Sequence, residues 1–231
     1  MIFRRKHKGR LTQAASLKAL RARGVEIASV IDVGVQRQTA SLIECFPDAP
    51  HLLIEPVSAF HADIARNYKS LRHEIVAAAA SDENGVGRLA TSAIAGEGVT
   101  HAHVGEAGED VALRRLDSLL PKEAFPAPYL LKIDVDSTEA SMKALAGAAG
   151  IMGGVHCIVC EMIATHFVAL AAQIEAAGFA LWDIVDVTYY DDVLYQCDAI
   201  FVRRASLATN GKLKPFSAAS FDPKKWRVLR D

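Results

Sequence analysis

The residues best placed to do chemistry are acids at or near the ends of short apolar runs. Asp32 lies in Ser29–Val33, Glu55 follows His51–Ile54, Asp82 lies just past 74–80, Asp134 lies near the end of 129–136, and Glu161 follows 155–160. Runs of that length, rich in aliphatic residues and bounded by turn signals, read as buried parallel strands. Gly34 closes the first run, and Glu55 stands 21 positions beyond it. Glycine lets the chain turn sharply and lets a ligand approach the backbone. A carboxylate about 20 residues past such a turn is where dinucleotide folds accept hydrogen bonds from a ribose. The match is chemical too, because a carboxylate only accepts and a ribose diol offers two donors. Taken singly, Gly34 is a plain strand-to-helix turn and Glu55, before Pro56, an ordinary strand end. Taken together they favour an adenosine-type cofactor.

Other groupings carry less. His101-Ala102-His103 could cover a substrate, or bind a metal with a carboxylate, although an isolated His-x-His is more often a solvated loop. Cys157-x-x-Cys160 has redox or zinc spacing, but it falls inside a predicted strand and lacks a second pair, so it reads as packing. No metal is expected. Tyr189, Tyr190, Asp191 and Asp192 offer aromatic faces and carboxylate acceptors suited to a sugar, and equally suit a surface connection.

The elements that must position these residues follow from periodicity. Leu11, Ala14, Ala15, Leu17 and Leu20 form one apolar stripe, so a helix is predicted over 11–23 with Gly24 as its stop. Strands are predicted at 27–33, 51–54, 74–80, 129–136, 155–160, 179–187 and 198–203, with helices at 38–46, 58–67, 137–146 and 166–177. Between them, 86–111 has a loose pattern that suggests short strands, a hairpin or a mobile flap, and 116–120 suggests a helical turn. Strands alternating with helices imply a parallel sheet covered on both faces, with ligands at the C-terminal ends of the strands. The chain is expected to divide into a basic tail and N-terminal helix (1–26), a main domain (27–204) with a flap at 86–111, and a C-terminal extension (205–231) that ends on the basic, aromatic Lys224, Lys225, Trp226 and Arg227.

Composition sets the bounds. The 231 residues are 51% hydrophobic and 23% charged, which suits one well-cored soluble domain, or one domain with trimmings. A net charge of -1 gives no argument for nucleic acid. No apolar run approaches the ~18 residues of a membrane span. The basic start, Met1 to Arg10, has no apolar stretch and so does not read as a secretory signal. A cytoplasmic location is the default expectation. The four cysteines, Cys45, Cys157, Cys160 and Cys197, sit in apolar segments and read as reduced core thiols.

Several motifs together match a known pattern. Val30-Ile31-Asp32-Val33-Gly34, Leu53-Ile54-Glu55-Pro56, Leu116-Asp117-Ser118-Leu119, Leu131-Lys132-Ile133-Asp134-Val135-Asp136-Ser137-Thr138-Glu139 and Asp198-Ala199-Ile200-Phe201-Val202-Arg203 resemble the FkbM family of S-adenosylmethionine-dependent methyltransferases, over about 27–204. The resemblance implies an α/β class I methyltransferase fold: a Rossmann-like, doubly wound, mostly parallel seven-stranded sheet whose last strand is antiparallel. It implies S-adenosyl-L-methionine as cofactor and O-methylation of a hydroxyl, commonly on a sugar or polyketide. Position by position, Asp32, Gly34 and Val35 match the first cofactor motif, and Glu55 with Pro56 the ribose-binding acid. Ser81 and Asp82 match the turn near the adenine, and Asp134 the acid near the donor's amino acid portion and methyl group. The family's Asp-Val-Gly-Ala-Asn-x-Gly is here Asp32-Val33-Gly34-Val35-Gln36-Arg37-Gln38, so Gln38 replaces the second glycine. Its Glu-Gly-Ala-Glu is here Asp136-Ser137-Thr138-Glu139.

Methyl transfer from a sulfonium is an in-line displacement, so holding the acceptor oxygen behind the methyl does much of the work. A protonated hydroxyl is a poor nucleophile, and a nearby base or a metal helps. Asp134, Glu161 and His166 are the candidate bases. The leading reading is an O-methyltransferase acting on a hydroxyl of a sugar, glycoconjugate or other small natural product. A non-catalytic binding relative with a degenerate cofactor motif is the alternative. A nucleotide-dependent oxidoreductase is disfavoured because Gly-x-Gly-x-x-Gly is absent. The acceptor is expected to be a small molecule or glycan rather than nucleic acid, no integral membrane segment is expected, and a homodimer is one candidate assembly.

Overall fold

The computed structural model describes residues 11–93 and 101–213. The basic start and the Lys224–Arg227 end both lie outside the described residues. In chain order the elements are α1 (Gln13–Ala22), β1 (Ser29–Val33), α2 (Ala40–Cys45), β2 (His51–Ile54), α3 (His61–Asn67), β3 (His73–Val76), β4 (Ala79–Ala80), β5 (Gly85–Ser92), β6 (His101–Gly105), β7 (Glu109–Arg114), α4 (Leu116–Leu119), β8 (Tyr129–Ile133), α5 (Thr138–Gly147), β9 (Val155–Ile163), α6 (Phe167–Ala176), β10 (Phe179–Tyr190), β11 (Val193–Arg203) and α7 (Arg204–Thr209).

Seven strands form one sheet in the order β10-β11-β9-β8-β1-β2-β3. Pairings among β3, β2, β1, β8 and β9 are all parallel, while β11 runs antiparallel to both β9 and β10. This is the class I methyltransferase fold, with its mostly parallel, doubly wound sheet and one reversed strand. No helix among the described residues is long and apolar enough to cross a membrane.

Period-2 alternation sorts the core into layers. Val30 of β1 packs with Leu17 and Leu20 of α1 and Leu42 of α2. Its neighbours Ile31 and Val33 pack on the other face with Leu145 of α5 and Leu170 of α6. The same alternation disposes of the cysteine pair. Cys157 belongs to the first layer and Cys160 to the second, so the thiols point to opposite faces of β9 and are both free and buried.

Differences from the expected elements have local causes. The expected strand over 74–80 is split into β3 and β4. Ala78 N–H bonds back to Val76 O at 3.0 Å, which diverts the chain, and β4 then pairs with β7 in a second sheet of order β4-β7-β5-β6. The expectation over 86–111 is short strands, a hairpin or a mobile flap, and the described part of that segment falls in β5, β6 and β7 of this sheet. Residues 94–100, within the expected flap, lie outside the described residues. β9 runs to Ile163, so Glu161 lies inside the strand rather than past it. The last two strands are longer than expected and form one hairpin. Asp191 and Asp192 take φ of +50° and +59° at its tip, the left-handed pair that a tight two-residue hairpin turn needs. Tyr190 and Val193, on either side of that tip, are 77% and 68% exposed.

Capping follows the sequence. Thr12 Oγ1 accepts from Ala15 N–H at 3.3 Å at the start of α1, and Ser137 Oγ accepts from Ala140 N–H at 3.1 Å at the start of α5. The Leu116-Asp117-Ser118-Leu119 motif is a joint. Asp117 accepts from Arg115 Nη2 at 2.6 Å and from Gly150 N–H at 3.0 Å, tying α4 to the turn after α5, and the Arg115 hydrogen bond holds its carboxyl below the usual range.

Candidate functional site

The tips of three central strands are locked together. Gly34 N–H donates to Ile54 O at 3.0 Å, and Asp134 N–H donates to Val33 O at 3.0 Å. Gly34 has φ +79°, and a Cβ there would lie 1.7 Å from the carbonyl oxygen of Asp134. The glycine is therefore required by the neighbouring strand tip as well as by the turn. Over these tips opens a cavity of about 760 Å³, lined by Gly34, Val35, Glu55, Pro56, Asp134 and Glu161 among others.

Glu55 is 4% exposed, and each of its carboxylate oxygens receives one backbone donor. Val57 N–H reaches Oε1 at 2.8 Å and Gln36 N–H reaches Oε2 at 2.8 Å. Gln36 takes φ +54°, a left-handed conformation in the turn that follows Gly34. Burial raises the pKa of Glu55 and the two amide donors counter it. Each oxygen retains acceptor capacity. Beside this end, a recess of about 50 Å³ is walled by Ala78, Ala79, Leu89 and Val104, with His103 at its edge. Asp136 Oδ2 accepts from Ala102 N–H and so ties β6 to the tip of β8. The side chain of His101 lies outside the described residues.

Lys132 is the buried cation of the site. It is 4% exposed, lines the cavity, and sits opposite Asp32 in the β1–β8 register. Its Nζ donates to Asp134 Oδ2 at 2.8 Å and lies 3.6 Å from Asp32 Oδ1. Burial opposes its charge, but the carboxylates of Asp134 and Asp32 outweigh burial and raise its pKa. Asp32 itself is fully buried and does not reach the cavity. Tyr68 Oη donates to its Oδ2 at 3.4 Å, and Asp32 Oδ1 has no hydrogen-bond partner among the described residues. Asp32 thus supports Lys132 from beneath the cavity floor.

At the other end of the cavity two carboxyls face each other across a ladder. Glu161 of β9 is paired in register with Asp198 of β11. Gln196 Nε2 donates to Glu161 Oε2 at 2.7 Å, and Gln13 Nε2 of α1 donates to Asp198 Oδ2 at 2.7 Å. Gln13 N–H also donates to Asp186 Oδ2 at 2.7 Å, and Ser41 Oγ donates to Gln13 Oε1. Burial, then Asp134 and Asp198, push the Glu161 carboxyl up to about 7. Burial likewise pushes Asp198 up to about 6, with Lys132 opposing.

Other expected site residues lie elsewhere. Ser81 and Asp82 do not line the cavity, because β4 leaves the main sheet and carries them toward α4. There Ser81 N–H bonds to Arg114 O at 2.8 Å, and Asp82 O accepts from Arg115 Nη1 at 2.7 Å. His166 is exposed, hydrogen-bonded to Thr165 Oγ1 at 3.1 Å, and outside the cavity. The extension of β9 to Ile163 carries the chain past the cavity before α6 begins. Tyr189 and Tyr190 do not line the cavity either, whereas Tyr195 on the returning strand does. No group of three or more His, Cys, Asp or Glu among the described residues could hold a metal ion.

Sequence reading missed Lys132, Asp198 and Gln13 as site residues. Lys132 carried a signal, being a charge within an apolar strand, where a buried cation demands partners. Asp198 heads an apolar run in the same way. Gln13 carried none, because its role depends on where α1 docks.

Comparisons with known proteins give the following. No protein-family model matches the chain, and no curated protein matches it. Among solved structures, magnesium protoporphyrin IX methyltransferase from Synechocystis PCC 6803, with bound SAM, is 8% identical over 82% of this chain and 76% of that one, at a TM-score of 0.47. A precorrin-6y C5,15-methyltransferase from Geobacter metallireducens is 11% identical, covering 86% and 92%, at 0.44. Fibrillarin from Aeropyrum pernix, with natively bound S-adenosyl-L-methionine, is 15% identical, covering 80% and 72%, at 0.46.

Proposed function

We propose that this chain is an S-adenosylmethionine-dependent O-methyltransferase whose acceptor is a hydroxyl of a sugar, glycoconjugate or other small natural product. The observation that carries the reading is a cavity over the strand tips that both Glu55 and Glu161 line. The residues present fit an adenosyl sulfonium. Glu55 is a buried, backbone-oriented acceptor for a ribose diol, and the recess of Ala78, Ala79, Leu89 and Val104 suits a flat, weakly polar ring. The carboxylates around Lys132 suit a cation near Asp134.

When bound, the donor supplies an electrophilic methyl group. The chain's own residues do the rest. Glu161, pushed up to about 7, takes the proton of the acceptor hydroxyl near neutral pH. With the donor's methyl passed to the acceptor oxygen, Glu161 would be left holding the hydroxyl's proton as a neutral acid. Lys132 holds Asp134 in position without facing the acceptor as a free cation.

Titration calorimetry with S-adenosylmethionine and with NAD tests the donor. Heat from the first alone supports the reading, and heat from neither removes it. A transferred radiolabelled methyl group, followed across sugars and glycolipid precursors, tests the acceptor. Donor binding without transfer to any of them favours the non-catalytic alternative, for which Gln38 on the cavity wall is the specific observation.

A further inference from the structure

We propose that Glu161 and Asp198 act as one carboxyl pair that shares a proton, with Asp198 a positioning residue that sets when Glu161 is free to accept. The catalytic consequence rests on the reading above; the pairing itself does not. Directly opposite residues on antiparallel strands bring their Cβ atoms within about 4.5–5.5 Å, and like charges there repel. Glu161 and Asp198 are such a pair, and both line the cavity.

The hydrogen bonds divide the four oxygens neatly. Gln196 donates to Glu161 Oε2 and Gln13 donates to Asp198 Oδ2, so Oε1 and Oδ1 are the oxygens available to share a proton. Of the other charged groups around the pair, Lys132 relieves it in part and the acids do not. Asp134 and Asp136 face Glu161 from the end of β8, and Asp186 faces Asp198 from β10. Lys132, the nearby cation, already serves Asp134 at 2.8 Å and Asp32 at 3.6 Å. Placing one proton between the two carboxyls removes their mutual repulsion, and burial favours the same outcome.

In the reaction, the acceptor's proton moves to Glu161 once the pair has lost its shared proton to solvent. Gln13 is the third partner. Its amide steadies the ionised form of Asp198, so the N-terminal helix reaches the chemistry through this one contact.

The test is carboxyl carbon-13 NMR of the full chain with labelled Glu and Asp side chains, titrated from pH 4 to 9. Glu161→Gln assigns the Glu161 signal. The expected result is a Glu161 midpoint near 7 that falls by about one unit in Asp198→Asn, because the like charge is gone. Gln13→Leu provides a second variant if Asp198→Asn does not fold, and is expected to raise the Asp198 midpoint. A Glu161 midpoint in the ordinary carboxylate range, or one unmoved in Asp198→Asn, overturns the pairing. The acid limb of kcat/KM for methyl transfer is expected to move with the NMR midpoint. Coupled titrations without methyl transfer keep the pair and remove the methyltransferase reading. Methyl transfer whose acid limb ignores Asp198→Asn keeps that reading and removes the pair's role.

Discussion

Replacing Gly34 with alanine strikes the joint on which the cavity is built, and its cost can be worked from the geometry. The added Cβ would lie 1.7 Å from the carbonyl oxygen of Asp134, where ordinary contact begins at 3.4 Å, so one strand tip must retreat by 3.4 − 1.7 = 1.7 Å. The residue also keeps φ +79°, which costs an L side chain roughly 1–2 kcal/mol. Forcing atoms into a packed region adds about 1–3 kcal/mol. The total is about 2–5 kcal/mol, a large share of the roughly 5–15 kcal/mol by which domains are stable. Gly178 separates the two contributions, because it has φ +96° and nothing within 4 Å of an added Cβ. Gly178→Ala is expected to cost only the backbone strain, roughly 1–2 kcal/mol. Urea unfolding of both variants at matched m-values measures the difference. Gly34→Ala is also expected to weaken S-adenosylmethionine binding in calorimetry, because Glu55 and Asp134 no longer keep their spacing. Should Gly34→Ala unfold no earlier than Gly178→Ala, the argument from the strand tips fails.

Glu55→Gln removes a charge that orients two backbone donors and is expected to weaken donor binding about tenfold or more, since hydrogen bonds to charged groups are worth about 1.5–3 kcal/mol; calorimetry reads the change directly. The raised carboxyls of Glu161 and Asp198 bind protons in the native state that the unfolded chain, with carboxyl pKa values near ~4, has already lost. Their contribution therefore falls as pH rises from about 4 to about 7, so Glu161→Gln is expected to gain stability relative to the unsubstituted chain over that window, as melting temperatures at each pH will record. Cys157 is pushed up to about 12 by burial, and Cys160 is also raised. Neither is expected to react with iodoacetamide at pH 8 until urea unfolds the chain, and mass spectrometry of the alkylated sites checks this.

The central strands were legible because aliphatic runs and glycine turns are local signals. Ser29–Val33, His51–Ile54 and Tyr129–Ile133 all pair within the main sheet, and their tips meet the cavity. The acids at Glu55, Asp134 and Glu161 were legible for the same reason, since a strand end fixes which side of the sheet an adjacent residue reaches. The split at Ala77 and Ala78 was not, because an alanine run carries no preference strong enough to say which sheet it joins. Ser81, Asp82 and His166 lie away from the cavity because of that split and the extra length of β9, both of which depend on pairing partners far along the chain. Gln13 could not be found from sequence at all, because its partners Asp186 and Asp198 are 173 and 185 residues away.

That last separation bears on how the protein is made. The bond between Gln13 and Asp198 joins the first described helix to a strand 185 residues on, so it can close only after that whole stretch has left the ribosome. The half of the crevice built from β1, β2 and β8 can form earlier, from nearer neighbours. A nascent chain therefore shapes the Glu55 half of the crevice first, and the half that pairs Glu161 with Asp198 waits for β11.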